Sequence, residues 1–235
     1  MIQNQSPYAS PSQLGVRPTT ALSAGFLSQS FAWMFVGLLL TAGVAWVVQS
    51  SPTLMNAASQ LFLPLFIVQI VLVVAISGAI NRLSATAALG LFLVYAALMG
   101  VTLSFIFIAY ELGSIVGAFV SAAGMFGAAA AYGAITKRSL ASIGGYLFMG
   151  LIGLIIALFV NLFLFQSAGF SLALSVVGVI LFVGLTAYHV QRIAKGDLAA
   201  YTGSMEKGAV LGALSLYLDF INIFLFMLRI FGGRR

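Results

Sequence analysis

Two ionisable side chains stand where an apolar run would meet hydrocarbon: Asp219, inside Leu216-Tyr217-Leu218-Asp219-Phe220-Ile221-Asn222, and His189, at the inner end of an earlier apolar run. A charge in lipid is expensive, so each is a candidate functional group by default. Stepping from Asp219 by three and four residues collects Gly208, Gly212, Ser215, Asn222, Phe226 and Arg229 on one helix face, with Leu211, Leu218 and Leu225 assigned to the other. A polar stripe on an apolar helix must face protein or water. It reads either as a hydrogen-bonded seam between helices or as the lining of a polar conduit, in which Asp219 would meet a cation.

His189 ends a weaker stripe of Ser175, Gly178, Phe182 and Thr186. The midpoint between His189 and Asp219 is Ser204, in the turn-like Tyr201-Thr202-Gly203-Ser204. A helical hairpin closed there would set the two side chains opposite each other; an earlier break at Gly196-Asp197 would not. Unpaired, His189 reads as a packing histidine. Paired, it makes an ion pair with Asp219 when protonated; free His titrates near pH ~6.5 and free Asp near ~3.9. Arg82 and Glu111 lie at the ends of apolar runs, where snorkelling to the interface is easy.

These residues need long helices in a bilayer to position them. Of 235 residues, 62% are hydrophobic and 6% charged, far below the roughly 25% charged residues of a soluble domain. A hydrocarbon core about 30 Å thick takes about 20 apolar helical residues. Seven runs qualify: 29–49, 61–81, 86–109, 112–134, 143–165, 171–191 and 208–230. Runs such as Leu151 to Leu164 lack the alternation of barrel strands, so the expected fold is an all-α integral membrane bundle of seven transmembrane helices. The polar stripe places the last helix at its centre. Pairs such as Gly113/Gly117 and Gly208/Gly212 read as close-packing positions between helices. Residues 1–28, rich in Ser, Pro, Gln and Thr, read as a disordered tail before a membrane domain over 29–235.

The net charge of +6 is not a nucleic-acid signal, because the basic residues are scattered singly or in pairs between apolar runs. Arg82, Lys137, Arg138, Arg192, Lys195 and Lys207 all fall in loops on one side, while the opposite loops hold Glu111 and no base. The excess of bases puts that side, and the N-terminus, in the cytoplasm. Arg234 and Arg235 then lie outside, against the rule, unless the last span is re-entrant.

Enzyme chemistry is not expected. One His cannot supply the three or so protein ligands that a catalytic zinc takes, and there is no cysteine. A paired-aspartate protease lacks its second acid, and no Gly-x-Ser-x-Gly motif is present. No resident cofactor is implied.

Several motifs carry a family resemblance. The stretch Gly-Ala-Leu-Ser-Leu-Tyr-Leu-Asp-Phe-Ile-Asn (212–222), followed by Leu228-Arg229-Ile230-Phe231-Gly232, resembles the signature of the Bax inhibitor-1 family. So do Phe182 to Tyr188 with Gln191-Arg192, Thr136-Lys137-Arg138 with Leu147 to Gly153, and Tyr95 to Ser104. The likeness runs from about residue 30 to the end, and the short loops suggest the bacterial branch, hence an inner-membrane location. The resemblance implies seven helices with the last one central, and a pH-sensitive calcium leak. It also implies a proton-sharing pair of acids from the sixth and seventh helices, with a basic latch after the second. Asp219 matches the seventh-helix acid and Arg82 the latch. His189 stands where the other acid belongs, in Ala-Tyr-His-Val-Gln-Arg rather than Ala-Tyr-Asp-Thr-Gln-Lys/Arg. Two acids share a proton and offer hard oxygens to calcium, whereas His⁺ beside Asp⁻ makes a salt bridge.

The expected function is a cation leak, with calcium as the implied ion. Asp219 would contact it, Ser215 and Asn222 would line the path, and His189 and Arg82 would gate it. The alternative is a non-conducting regulator that binds other membrane proteins. The topology is checked by reporter fusions: those after Lys137 and Lys195 should score cytoplasmic and one near Gln166 external, and the inverse pattern would overturn the orientation.

Overall fold

A computed structural model of the protein describes residues 20–232, with side chains from residue 25 onward. The elements are α1 (Thr20–Gln49), α2 (Pro52–Gln60), α3 (Phe62–Ala79), α4 (Ala85–Leu103), α5 (Ile106–Ala109), α6 (Leu112–Ile135), α7 (Ala141–Val160), α8 (Ala168–Ala194), α9 (Asp197–Thr202) and α10 (Met205–Phe231), with a π-helical turn at Asn161–Phe165 extending α7. Seven helical stretches are long and apolar enough to cross a membrane, so the chain is an all-α membrane bundle. They match the seven runs read from sequence within a few residues.

Serines mark the starts. Ser51 caps α2 with Pro52 in its first turn, Ser84 caps α4, Ser167 caps α8 and Ser204 caps α10, each hydroxyl accepting a backbone N–H of the first turn. Helix α1 begins at Thr20, inside the stretch 1–28 assigned to the tail; residues 1–19 lie outside the described residues. The early start is driven by packing, since Phe26 is buried in the core. The short helices α2 and α9 replace what the sequence suggested were plain breaks.

The last helix is central. Of the apolar stretch of α10, 78% is buried, against 6% for the α7 span and 11% for α3. Helices α1, α4, α6, α8 and α9 surround it, while α3 packs along α4 and α7 along α8. The hydrophobic effect does not drive this packing, because lipid is as apolar as Leu; close approach and interhelical hydrogen bonds do. The Thr41 hydroxyl lies 2.8 Å from the Ala96 carbonyl and 2.6 Å from the Tyr217 hydroxyl, which ties α1, α4 and α10 together. The Gln69 amide donates to Leu98 O and Thr102 Oγ1, at 2.9 and 2.6 Å, and joins α3 to α4.

Close approach is set by glycines other than the first expected pair. A Cβ at Gly113 or Gly117 would meet nothing within 4 Å, so among the described residues this pair packs against no neighbouring helix. Spacing cannot reveal which face of a membrane helix meets lipid. Gly208 and Gly212 do face neighbours: a Cβ on Gly208 would come within 2.9 Å of Ala199 N, and one on Gly212 within 2.9 Å of Ser30 Oγ. The tightest approach between two spanning helices is at Gly133 on α6, where a Cβ would collide with the Ala187 carbonyl of α8. Gly133→Val should therefore force these helices apart and cost about 1–3 kcal/mol, as overpacking does. Thermal denaturation in detergent should show a lower midpoint for Gly133→Val and an unchanged one for Gly117→Val; equal midpoints would contradict the packing.

Candidate functional site

Helix α10 carries Asp219 into the bundle with the residue only 2% exposed. His189 reaches it from the last turns of α8, and Nδ1 lies 2.7 Å from Asp219 Oδ2. This is the one salt-bridge-range contact among the described residues. The short helix α9 lies between α8 and α10 and packs against the first turns of α10, with Gly208 on Leu198 and Ala199. The two long helices thus return antiparallel with the pair in register, although the chain breaks at Gly196, where φ is 75°, as well as at Gly203, where φ is 64°.

The pair opens onto a groove of about 780 Å³ between α3 and α4 on one side and α7 and α8 on the other, with α10 as its floor. Ser215 and Asn222 line it, as expected. The Ser215 hydroxyl donates to Leu211 O and the Asn222 amide to Leu218 O, each within its own helix, which leaves their acceptor oxygens for the groove. Leu211, Leu218 and Leu225, assigned from sequence to the opposite face, line the same groove. Gly208 and Gly212, read as part of the polar stripe, are instead buried against neighbouring helices, while Phe226 packs over Gly178 and lines the groove. Because α10 is wrapped on all but the groove side, apolar residues occur at every angle and do not mark a lipid face. The companion stripe on α8 holds: Ser175, Gly178, Phe182 and Thr186 are all buried within the bundle.

Arg82 does not join the site. It is exposed in the turn between α3 and α4 and does not line the groove. The turn projects beyond the helix ends, where a guanidinium stays in water at no cost. The cation at the groove is Arg192, one turn beyond His189 on α8 and 5.6 Å from the Tyr188 ring centroid. Glu111 is exposed before α6, at the helix end where an interfacial acid was expected.

The family profile described as inhibitor of apoptosis-promoting Bax1 matches residues 23–235. The chain belongs to the Bax inhibitor-1 family. Among its relatives is the inner membrane protein YbhL of Escherichia coli strain K12, 47% identical over 94% of this chain and 96% of the relative. An uncharacterized protein of Borreliella burgdorferi is 46% identical over 89% of this chain and 92% of its own length, and the Lactococcus lactis protein YrjE 40% identical over 88% and 90%.

Within this family member, three site residues escaped sequence reasoning. Gln191, two positions after His189, accepts from Leu140 N at 2.7 Å and donates to Arg138 O at 2.8 Å, clamping the α6–α7 loop onto α8. Gln69 and Tyr95 line the groove from α3 and α4. Gln69, a polar residue deep in an apolar run, carried a signal that could have been followed; Tyr95 and Gln191 stand inside the family-like motifs, but nothing in their residue type pointed to a place at the site. Among the described residues no group of three His, Asp or Glu converges. One carboxylate with Ser215 and Asn222 falls short of the six or so oxygens that hold calcium.

Proposed function

We propose that the protein is a pH-sensitive cation leak gated at the His189–Asp219 pair, with calcium as the ion implied by its family. The contact between His189 Nδ1 and Asp219 Oδ2, facing a groove along the bundle, carries this reading. His189 can donate from Nδ1 both as imidazolium and as neutral imidazole, so the hydrogen bond itself need not break. What changes is the charge: zero for His⁺–Asp⁻, minus one once the imidazole is neutral. A net negative charge in a low-dielectric groove favours a cation by up to about 4 kcal/mol at 4 Å for an effective dielectric of about 20. Flux should therefore rise with pH as the imidazole loses its proton. The basic loops support a cytoplasmic face for the His189 end, and the relative in Escherichia coli supports an inner-membrane location.

One observation favours the alternative, a regulator that binds other membrane proteins. Gly113, Gly117 and Ser121 form a small-residue face on α6 with Phe231 at its edge, and no helix of this chain covers the two glycines. Small residues let a partner helix approach closely.

Calcium flux into proteoliposomes of the pure protein, measured across pH, separates the two. The leak reading expects flux that climbs with pH, falls by about tenfold or more in Asp219→Asn, and shifts its pH response toward the carboxylate range in His189→Asp. Wild-type vesicles no leakier than empty ones would overturn it.

A further inference from the structure

The groove has walls that do not close. Helices α3 and α7 line it, yet each packs on its other neighbour and no packed seam joins the two. On its rim, Ile70 is 51%, Val74 64% and Ile155 45% exposed. In a bilayer the gap between these residues faces hydrocarbon. Most of the lining side chains are apolar: Leu211, Leu218 and Leu225 on the floor, Leu151 and Leu158 on one wall and Val73 on the other. Water needs two or more polar partners, and such a surface offers few. A chain of methylenes from the adjoining lipid meets no such penalty.

The groove is also polarised along its length. At the end marked by the basic loops it is lined by Arg192 and Tyr201. Arg192 lies in the last turn of α8, half-buried against the Tyr188 ring. The Lys195 ammonium lies one turn on, 3.0 Å from Gln191 Oε1, and Lys207 begins α10 on the same side. A guanidinium presents a fork of donors that matches phosphate oxygens. The acid within the groove, Asp219, is paired with His189, so with the imidazole protonated the pair has no net charge and does not repel an anion at the mouth.

We propose that the groove is a lipid site: an anionic phospholipid enters between α3 and α7, lays one acyl chain along Leu211, Leu218 and Leu225, and seats its phosphate at Arg192. Binding follows from the groove's shape and polarity alone. Its consequence rests on the leak reading: a chain in the groove fills the path over Ser215 and Asn222 and holds it shut. Lipid supply and the charge of the pair then act on one conduit.

The test is native mass spectrometry of protein taken from vesicles of equal phosphatidylglycerol and phosphatidylcholine, stripped with increasing detergent. The wild type should retain one phosphatidylglycerol in preference to phosphatidylcholine. Arg192→Gln should weaken that retention about fivefold, the effect of one basic residue at an anionic surface. Arg82→Gln, which removes an exposed cation outside the groove, should leave it unchanged. Leu225→Trp, which fills the floor, should abolish it; should that variant fail to fold, the contrast between Arg192→Gln and Arg82→Gln decides. Wild-type protein that retains no phospholipid, retains both kinds equally, or behaves as Arg192→Gln does overturns the proposal. Retention is read without flux, so bound lipid on a silent protein would count against the leak and not against this site.

Discussion

A carboxylate buried midway along a membrane helix demands a partner, and the bundle is organised around meeting that demand. Unpaired in hydrocarbon, Asp219 would be neutral or would draw water and lipid headgroups to it. Paired at 2.7 Å with His189, it holds α8 and α10 in register. That register places Gly178 under Phe226 and brings Gly212 against Ile193, so the pair and the tight α8–α10 packing depend on each other. With α10 wrapped by α1, α4, α6, α8 and α9, its remaining free strip is the one that floors the groove. The helices left outside this core, α3 and α7, touch it through single neighbours and are the natural movable walls.

Placing a histidine opposite the aspartate alters what such a site can do. Two carboxylates in the same position would share a proton and present four oxygens to a hard cation. One carboxylate and one imidazole present two oxygens and, with the imidazole protonated, no net charge. The bland reading, a hydrogen-bonded seam, is satisfied by the same contact. Two features go beyond a seam: the pair opens onto a groove, and the polar residues Ser215 and Asn222 line it.

The sequence made the spans legible, because twenty apolar residues in a row admit few other structures. The central position of α10 was legible too, since Asp219 with Ser215 and Asn222 has no tolerable place against lipid. Even the His189–Asp219 register could be read from the midpoint at Ser204, and it survives the extra helix α9 because α9 folds back along α10. The rest was hidden for a common reason. In lipid, outward-facing and inward-facing residues are both apolar, so periodicity does not tell Gly113, which packs on nothing, from Gly208, which packs on Ala199. It likewise misassigned Leu218 and Leu225, which share the groove with Asn222. Arg82 and Arg192 look alike as loop-adjacent bases; only the path of the chain puts one in the turn after α3 and the other beside the pair.

The central claim is that His189 and Asp219 are held as one hydrogen-bonded pair inside the bundle. The chain contains a single histidine, so a nitrogen-15 histidine spectrum of tag-free protein in bilayers has one imidazole to assign. By solid-state NMR its Nδ1 should carry the signature of a hydrogen bond to a carboxylate, and that signature should vanish when Asp219 is replaced by Asn. An Nδ1 signal that is the same in wild type and Asp219→Asn would contradict the account.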